Sequence, residues 1–124
     1  MSTGLKGHIA IIDDDALVRP ALKDCMESAG YSVEVFDSAE EFLASNAADR
    51  AVCLIVDVQL PGLNGLELQA KLAGNGSHAP IVFVTAHGTD ANRKKAAKQG
   101  AAGFLSKPVR REDLLIAVGA AMQR

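Results

Sequence analysis

The sequence predicts a doubly wound α/β domain, and three observations carry the prediction. The runs His8–Ile12, Val52–Val56 and Pro80–Val84 are short and almost continuously apolar, as strands buried on both faces of a parallel sheet must be. Helical patterns separate these runs, and parallel neighbours need a helix to bring the chain back. The length, 124 residues, suits one core and not two, so residues 1–124 read as one domain with a core of about 8–122.

The elements follow in order. After the strand His8–Ile12 comes Asp13-Asp14-Asp15, and from Ala16 to Ala29 the residues Val18, Leu22, Cys25 and Ala29 recur at helical spacing, with Gly30 placed to stop the helix. With Asp15 as the helix cap, Pro20 falls past the first turn and removes a backbone donor, which predicts a late start or a bend. Tyr31–Phe36 alternates polar and apolar residues, as a strand nearer a sheet edge does. Ser38-Ala39-Glu40-Glu41 has the form of a capping box before Phe42 and Leu43, and the chain loosens around Asp49. Val52–Val56 ends in Asp57, and Asn64 can cap a helix from Leu66 to Ala73. Pro80–Val84 ends in Thr85; Thr89 or Asp90 caps a helix to Gln99; Ala101–Leu105 forms a short fifth strand before Ser106-Lys107-Pro108. A last helix covers Arg111–Met122. The residues alone leave the strand order open.

Composition excludes several classes of function. Hydrophobic residues make up 48% and charged residues 23%, as in soluble globular proteins. A net charge of −2 offers no general attraction to nucleic acid. No apolar run reaches membrane-spanning length, and Met1–Lys6 lacks the apolar stretch of a secretory signal, so the expected location is the cytoplasm. Cys25 and Cys53 lack metal-ligand spacing and read as reduced core thiols.

The chemistry gathers at one sheet edge. Ligands of open α/β sheets sit beyond the carboxyl ends of the strands, and here those ends carry Asp13 and Asp14, Asp57, Thr85 and, past the fifth strand, Lys107. Clustered carboxylates repel one another unless a cation joins them. Hard oxygen ligands on an open rim suit Mg²⁺, which keeps waters and takes a phosphate oxygen. Lys107 can neutralise a phosphoryl oxygen, the Thr85 hydroxyl can donate to another, and an aspartate can itself become an aspartyl phosphate. Each residue alone reads as a cap or turn former; together they read as a phosphoryl site with Asp57 as acceptor and Asp15 left as a helix cap.

The pattern of an apolar strand before Asp13-Asp14, Asp57-x-x-Leu60-Pro61-x-x-x-Gly65, Thr85-Ala86 and Lys107-Pro108 resembles the receiver domain of bacterial two-component response regulators, over His8 to Met122. The resemblance implies a flavodoxin-like (βα)5 parallel sheet of order 2-1-3-4-5. It implies that Asp57 is phosphorylated by a histidine kinase or a histidine phosphotransfer protein. Asp14, Asp57 and the backbone carbonyl of Gln59 would bind Mg²⁺ or Mn²⁺, with Asp13 reaching the ion mainly through water. Thr85 and Lys107 would contact the phosphoryl group, Phe104 would be the switch aromatic, and the Lys107–Pro108 peptide would be cis. Such a domain is a signalling phosphoacceptor, not an enzyme beyond its own phosphorylation and dephosphorylation. Its partners are a downstream protein or an attached output domain and, on phosphorylation, a second copy of itself, with no direct binding to nucleic acid or membrane. Leu60, where Met is common, and Pro20 depart from the pattern without touching the chemistry.

His87, two residues after Thr85, is either a modulator of water access and phosphoryl lifetime or a solvated loop histidine. Arg93, Lys94, Lys95 and Lys98 read as a solvated basic face, without aromatics for base stacking. Gly74-Asn75-Gly76 precedes a strand and is no phosphate loop. An alternative of another class is a haloacid-dehalogenase-like phosphatase with its nucleophile in Asp13-Asp14-Asp15, for which the chain leaves little room for a substrate cap. A third is a receiver-like interaction module without phosphorylation, against which the complete residue set argues. No output domain follows Arg124, so a single-domain regulator and the receiver part of a longer protein are both open. Between Thr89 and Ala101 no apolar side chain exceeds alanine, which predicts a weakly anchored fourth helix and a switching surface over residues 86–106, the face of the fourth helix, fifth strand and fifth helix.

Overall fold

The structure, a computed structural model, describes residues 6–123; the expectation for Met1–Lys6 falls almost wholly outside them. Five parallel strands form one sheet in the order β2-β1-β3-β4-β5: β1 (His8–Ile12), β2 (Ser32–Phe36), β3 (Cys53–Val56), β4 (Ile81–Thr85) and β5 (Gly103–Ser106). This is the order that the family resemblance implies. The helices are α1 (Val18–Ser28), α2 (Ala39–Ala44), α3 (Ala47–Arg50), α4 (Gly65–Gly74), α5 (Asp90–Lys98) and α6 (Arg111–Met122).

Side-chain alternation along the strands divides the core in two. Ile9, Ile11, Cys53, Ile55, Val82 and Val84 face α1 and α6, where Leu22, Met26, Leu114 and Val118 cover them. Ala10, Ile12, Leu54, Val56 and Phe83 face the other way, under Phe42, Leu66, Leu68 and Leu72. The central strands are therefore apolar on both sides, which is why their sequences show no alternation. Both cysteines are free, and burial pushes the Cys53 thiol up to about 12, so it stays an inert core group. No helix among the described residues is long and apolar enough to cross a membrane.

Local chemistry sets several boundaries. Asp15 Oδ1 accepts from the Leu17 and Val18 N–H groups at 2.9 and 3.2 Å, forming a turn that delays α1 until Val18. Pro20 thus falls within the first turn, where its missing N–H has no helical partner to lose, and the expected conflict past that turn does not arise. Gly30, at φ +102°, ends α1 as expected. Ser38 caps α2 through the Glu41 N–H at 3.0 Å, but the reciprocal capping box forms instead at Asn64 and Glu67, at the start of α4. The stretch around Asp49 adds the short helix α3, making six helices among the described residues instead of five.

Candidate functional site

The strand order reverses between β1 and β3, and that switch point opens the crevice in which open α/β sheets hold their ligands. Asp57 follows β3 directly, its N–H bonded to the Ile12 carbonyl at 3.0 Å, and Asp13 follows β1, its N–H on the Phe36 carbonyl at 3.0 Å. Strand ladders thus fix both backbones. Asp13, Asp14 and Asp57 each bring a carboxylate oxygen within 4.8 Å of the others. Asp13 and Asp57 are 1% and 5% exposed, whereas Asp14 faces solvent.

One cation enters this cluster. Lys107 Nζ lies 2.8 Å from Asp57 Oδ2 and 2.9 Å from Asp13 Oδ2. The Asp57 contact is a hydrogen bond; the Asp13 contact has ion-pair distance without hydrogen-bond geometry, and Asp13 Oδ2 has no other partner among the described residues. The remaining oxygens turn back on the loops: Asp13 Oδ1 accepts from the Asp15 N–H at 2.9 Å and Asp57 Oδ1 from the Gln59 N–H at 3.0 Å. Burial raises the pKa of Asp13 above its ordinary value, outweighing the Lys107 contact and the Asp15 N–H. Burial also pushes the Lys107 ammonium down, but its bonds to Asp57 and Asp13 prevail and its pKa ends raised. One lysine therefore gains from two carboxylates while the deeper carboxylate remains under-compensated.

The surrounding loops hold this arrangement. Lys107 donates its backbone N–H to the Thr85 carbonyl at 2.9 Å, and the Lys107–Pro108 peptide is cis. Thr85 is fully buried and its Oγ1 accepts from the His87 N–H at 3.0 Å. His87 is exposed and meets the site through its backbone; among the described residues its ring makes no hydrogen bond. Gln59 is exposed, with its N–H on Asp57. Phe104, on β5, is partly buried beside Phe83, ring centroids 5.9 Å apart. Gly65 has no room for a side chain, because a Cβ there would run into the Asp57 carbonyl oxygen. Sequence reasoning did not assign Arg19, whose Nη1 donates to the Asp13 carbonyl at 2.9 Å; an arginine in the first turn of a helix carries no signal of that contact.

The donor set fits a small divalent cation. Three carboxylates converge, one buried oxygen among them lacks a hydrogen bond, and hard oxygen ligands of this kind suit Mg²⁺ or Mn²⁺.

The sequence model of the response regulator receiver domain matches residues 9–119. The chain belongs to this family. It is 44% identical over 119 residues to nodulation protein W of Bradyrhizobium diazoefficiens, covering 96% of this chain and 52% of that protein. It is 43% identical to the response regulator protein TodT of Pseudomonas putida, covering 93% and 51%. The chain spans about half the length of these relatives. Among solved structures, full-length FixJ from B. japonicum superposes with a TM-score of 0.88 at 38% identity, covering 96% of this chain and 59% of that one. A CheY-like receiver domain protein from Methanospirillum hungatei gives 0.86 at 28% identity, with 94% of each chain covered. The family match supports the receiver reading over the phosphatase alternative.

Proposed function

We propose that this receiver domain accepts a phosphoryl group on Asp57 and that the phosphorylated state repacks the surface around α5. The observation that carries the proposal is Lys107 Nζ at 2.8 Å from Asp57 Oδ2, inside a cluster of three carboxylates. A lone structural aspartate would not need such neighbours, since buried like charges raise one another's energy.

In the proposed transfer an Asp57 carboxylate oxygen attacks the phosphorus of a phosphohistidine carried by a histidine kinase or histidine phosphotransfer protein. A P–O bond forms, the P–N bond breaks, and its electron pair leaves with the imidazole nitrogen. Asp57 Oδ1 is held by the Gln59 N–H, which fixes the carboxylate plane. Lys107 is placed to shift its hydrogen bond from the carboxylate to a phosphoryl oxygen, and Thr85 to give its hydroxyl to another. Asp14, Asp57 and the Gln59 carbonyl would hold Mg²⁺, or Mn²⁺, with Asp13 behind them, and the ion when bound supplies charge neutralisation between donor and acceptor. His87 bears on the site through its loop.

Drawing the Thr85 hydroxyl inwards breaks its bond to the His87 N–H and frees the β4–α5 loop, into whose former space Phe104 can turn. α5 buries only Ala96, so little apolar contact resists its displacement. Residues 86–106 are thus the surface that signals to a downstream protein, to an output domain joined to residues 1–124, or to a second copy of the chain. Incubation with acetyl phosphate tests the acceptor: labelling of the wild type in Mg²⁺, its loss in EDTA, and its loss in Asp57→Asn are expected. Normal labelling of the variant would remove Asp57 from the mechanism.

A further inference from the structure

α5 rests on the sheet almost without an apolar anchor, and two sets of polar attachments hold it instead, one to α4, where Gln99 Nε2 also donates to the Leu66 carbonyl at 3.4 Å, and one to Phe104. At its C-terminal end, Gln69 of α4 reaches across while only 3% exposed. Its Nε2 donates to the Ala96 carbonyl at 3.0 Å, and its Oε1 accepts from Gln99 Nε2 at 2.7 Å. A buried amide is costly unless its hydrogen bonds are made, and both contacts of this one are made to α5 or its cap. On the other side, Arg93 Nη1 donates to the Phe104 carbonyl at 3.2 Å, and the guanidinium carbon lies 4.6 Å from the centre of the Phe104 ring. That is a cation–π contact as well as a hydrogen bond. The same ring lies beside Gly88, where an added Cβ would stand 3.4 Å from Phe104 Cε1.

The two attachments differ in what they join. Gln69 ties α5 to α4, whose first residue, Gly65, abuts the Asp57 carbonyl and donates its N–H to Val58 at 2.9 Å. Arg93 ties α5 to the aromatic ring that turns in the proposed switch. Rotation of Phe104 takes the ring away from Arg93 and leaves Gln69 untouched. We propose that Gln69 is a positioning residue on which α5 pivots: the cation–π half of the Arg93–Phe104 clamp opens on phosphorylation, leaving only the hydrogen bond to the Phe104 backbone carbonyl to hold that half of the helix, while the Gln69 contacts to Ala96 and Gln99 persist. The half of α5 around Arg93 then swings, and its last turn stays against α4. The pivot rests on the switch proposed above; the attachment itself does not.

Residue-resolved amide exchange on the 124-residue chain tests both. In EDTA, without phosphoryl donor, Gln69→Leu is expected to speed exchange of the Ala97–Gln99 amides by roughly tenfold, the loss of about one net hydrogen bond. The strands β1, β3 and β4 keep wild-type rates. Gln99→Leu removes the shared contact but leaves the Gln69–Ala96 bond, so it gives part of the effect, and the double variant falls short of the sum of the two because the side chains share one contact. Unchanged α5 rates in Gln69→Leu, or acceleration spread equally over the strands, would overturn the attachment. With acetyl phosphate and Mg²⁺, the wild type is expected to change exchange around Arg93–Lys95 and not at Ala97–Gln99, whereas in Gln69→Leu the change spreads to both ends. Labelling of Asp57 in Gln69→Leu stays within about twofold of wild type, since the contact lies outside the phosphoryl pocket. A wild-type change that is uniform along α5 would overturn the pivot. If the wild type took no phosphoryl group, the pivot would fall with the acceptor reading, and the arm in EDTA would still decide the attachment.

Discussion

Asp13→Asn is expected to stabilise the metal-free protein. Asp13 is 1% exposed, and its Oδ2 lies 2.9 Å from Lys107 Nζ with no hydrogen bond to any group. A buried polar oxygen left in that state costs about 1–3 kcal/mol. Burial raises the pKa of this carboxyl above 3.8, so folding disfavours its ionised form. Below the unfolded-state pKa both states are protonated and the penalty vanishes. It grows as pH rises towards the folded-state value and is constant above it. Asparagine removes the charge and keeps an oxygen for the Asp15 N–H. In EDTA at neutral pH the variant should therefore unfold at higher urea, by about 1–3 kcal/mol, with the advantage closing as pH falls towards 3.8. Mg²⁺ reverses the order if the carboxylates hold it: ligand at a hundredfold excess over Kd stabilises the wild type by about 2.7 kcal/mol, and the variant, one carboxylate poorer, gains less. Urea titrations followed by circular dichroism measure all four conditions. A variant no more stable than wild type in EDTA at neutral pH, or an advantage that widens on acidification, would refute the reasoning.

Two further substitutions probe the frame of the site. Lys107→Ala leaves two buried carboxylates without their cation and should lower stability in EDTA by roughly 3 kcal/mol, yet remain folded in Mg²⁺. There it should break the link between phosphorylation and α5, read as amide exchange at Arg93–Lys95 that no longer responds to acetyl phosphate. Gly65→Ala drives a Cβ into the Asp57 carbonyl oxygen; the backbone must yield, at a cost of about 1–3 kcal/mol in urea, and labelling of Asp57 should slow because the acceptor itself moves.

Three parts of the site that were legible in the sequence share one property: each ends an apolar run. Asp13, Asp57 and Thr85 stand out because a buried parallel strand has no polar residues until it leaves the sheet, so the first one marks the rim. Which of two adjacent carboxylates is buried was not legible, since Asp13 and Asp14 differ only in the direction their side chains take from the strand end. The late start of α1 was legible, because Pro20 pointed to it, and the structure supplies the device that produces it. Asp15 bonds the amides of Leu17 and Val18 and moves the first helical residue forward, which changes Pro20 from an interruption into a harmless first-turn residue. Gln69 and Arg93 were illegible for another reason. A glutamine or arginine on an amphipathic helix looks like solvent-facing polarity, and their partners lie 27 and 11 residues away, so only the packing of α5 across α4 and β5 gives them meaning.

The charge balance of the pocket explains why its strongest contact is also the one that must change. Asp13, Asp14 and Asp57 set against Lys107 leave two uncompensated negative charges. Phosphorylation as proposed would remove the charge of Asp57 but bring roughly two more on the phosphoryl oxygens, so the pocket would become more negative, not less. Lys107 alone cannot follow both Asp13 and the phosphoryl group, because its ammonium offers donors from a single point. It sits between Asp13 and Asp57; in the proposed phosphorylated state the greater charge would lie on the phosphoryl oxygens, and Asp13 would lose the one cation that contacts it among the described residues. A divalent ion held as proposed by Asp14, Asp57 and the Gln59 carbonyl, with Asp13 behind them, would supply the charge that frees Lys107 for the phosphoryl group. On that proposal the buried Oδ2 of Asp13, 2.9 Å from Lys107 Nζ but without a hydrogen bond among the described residues, is the cost of keeping a cation site ready. Relieving it should stabilise the fold and weaken phosphorylation together.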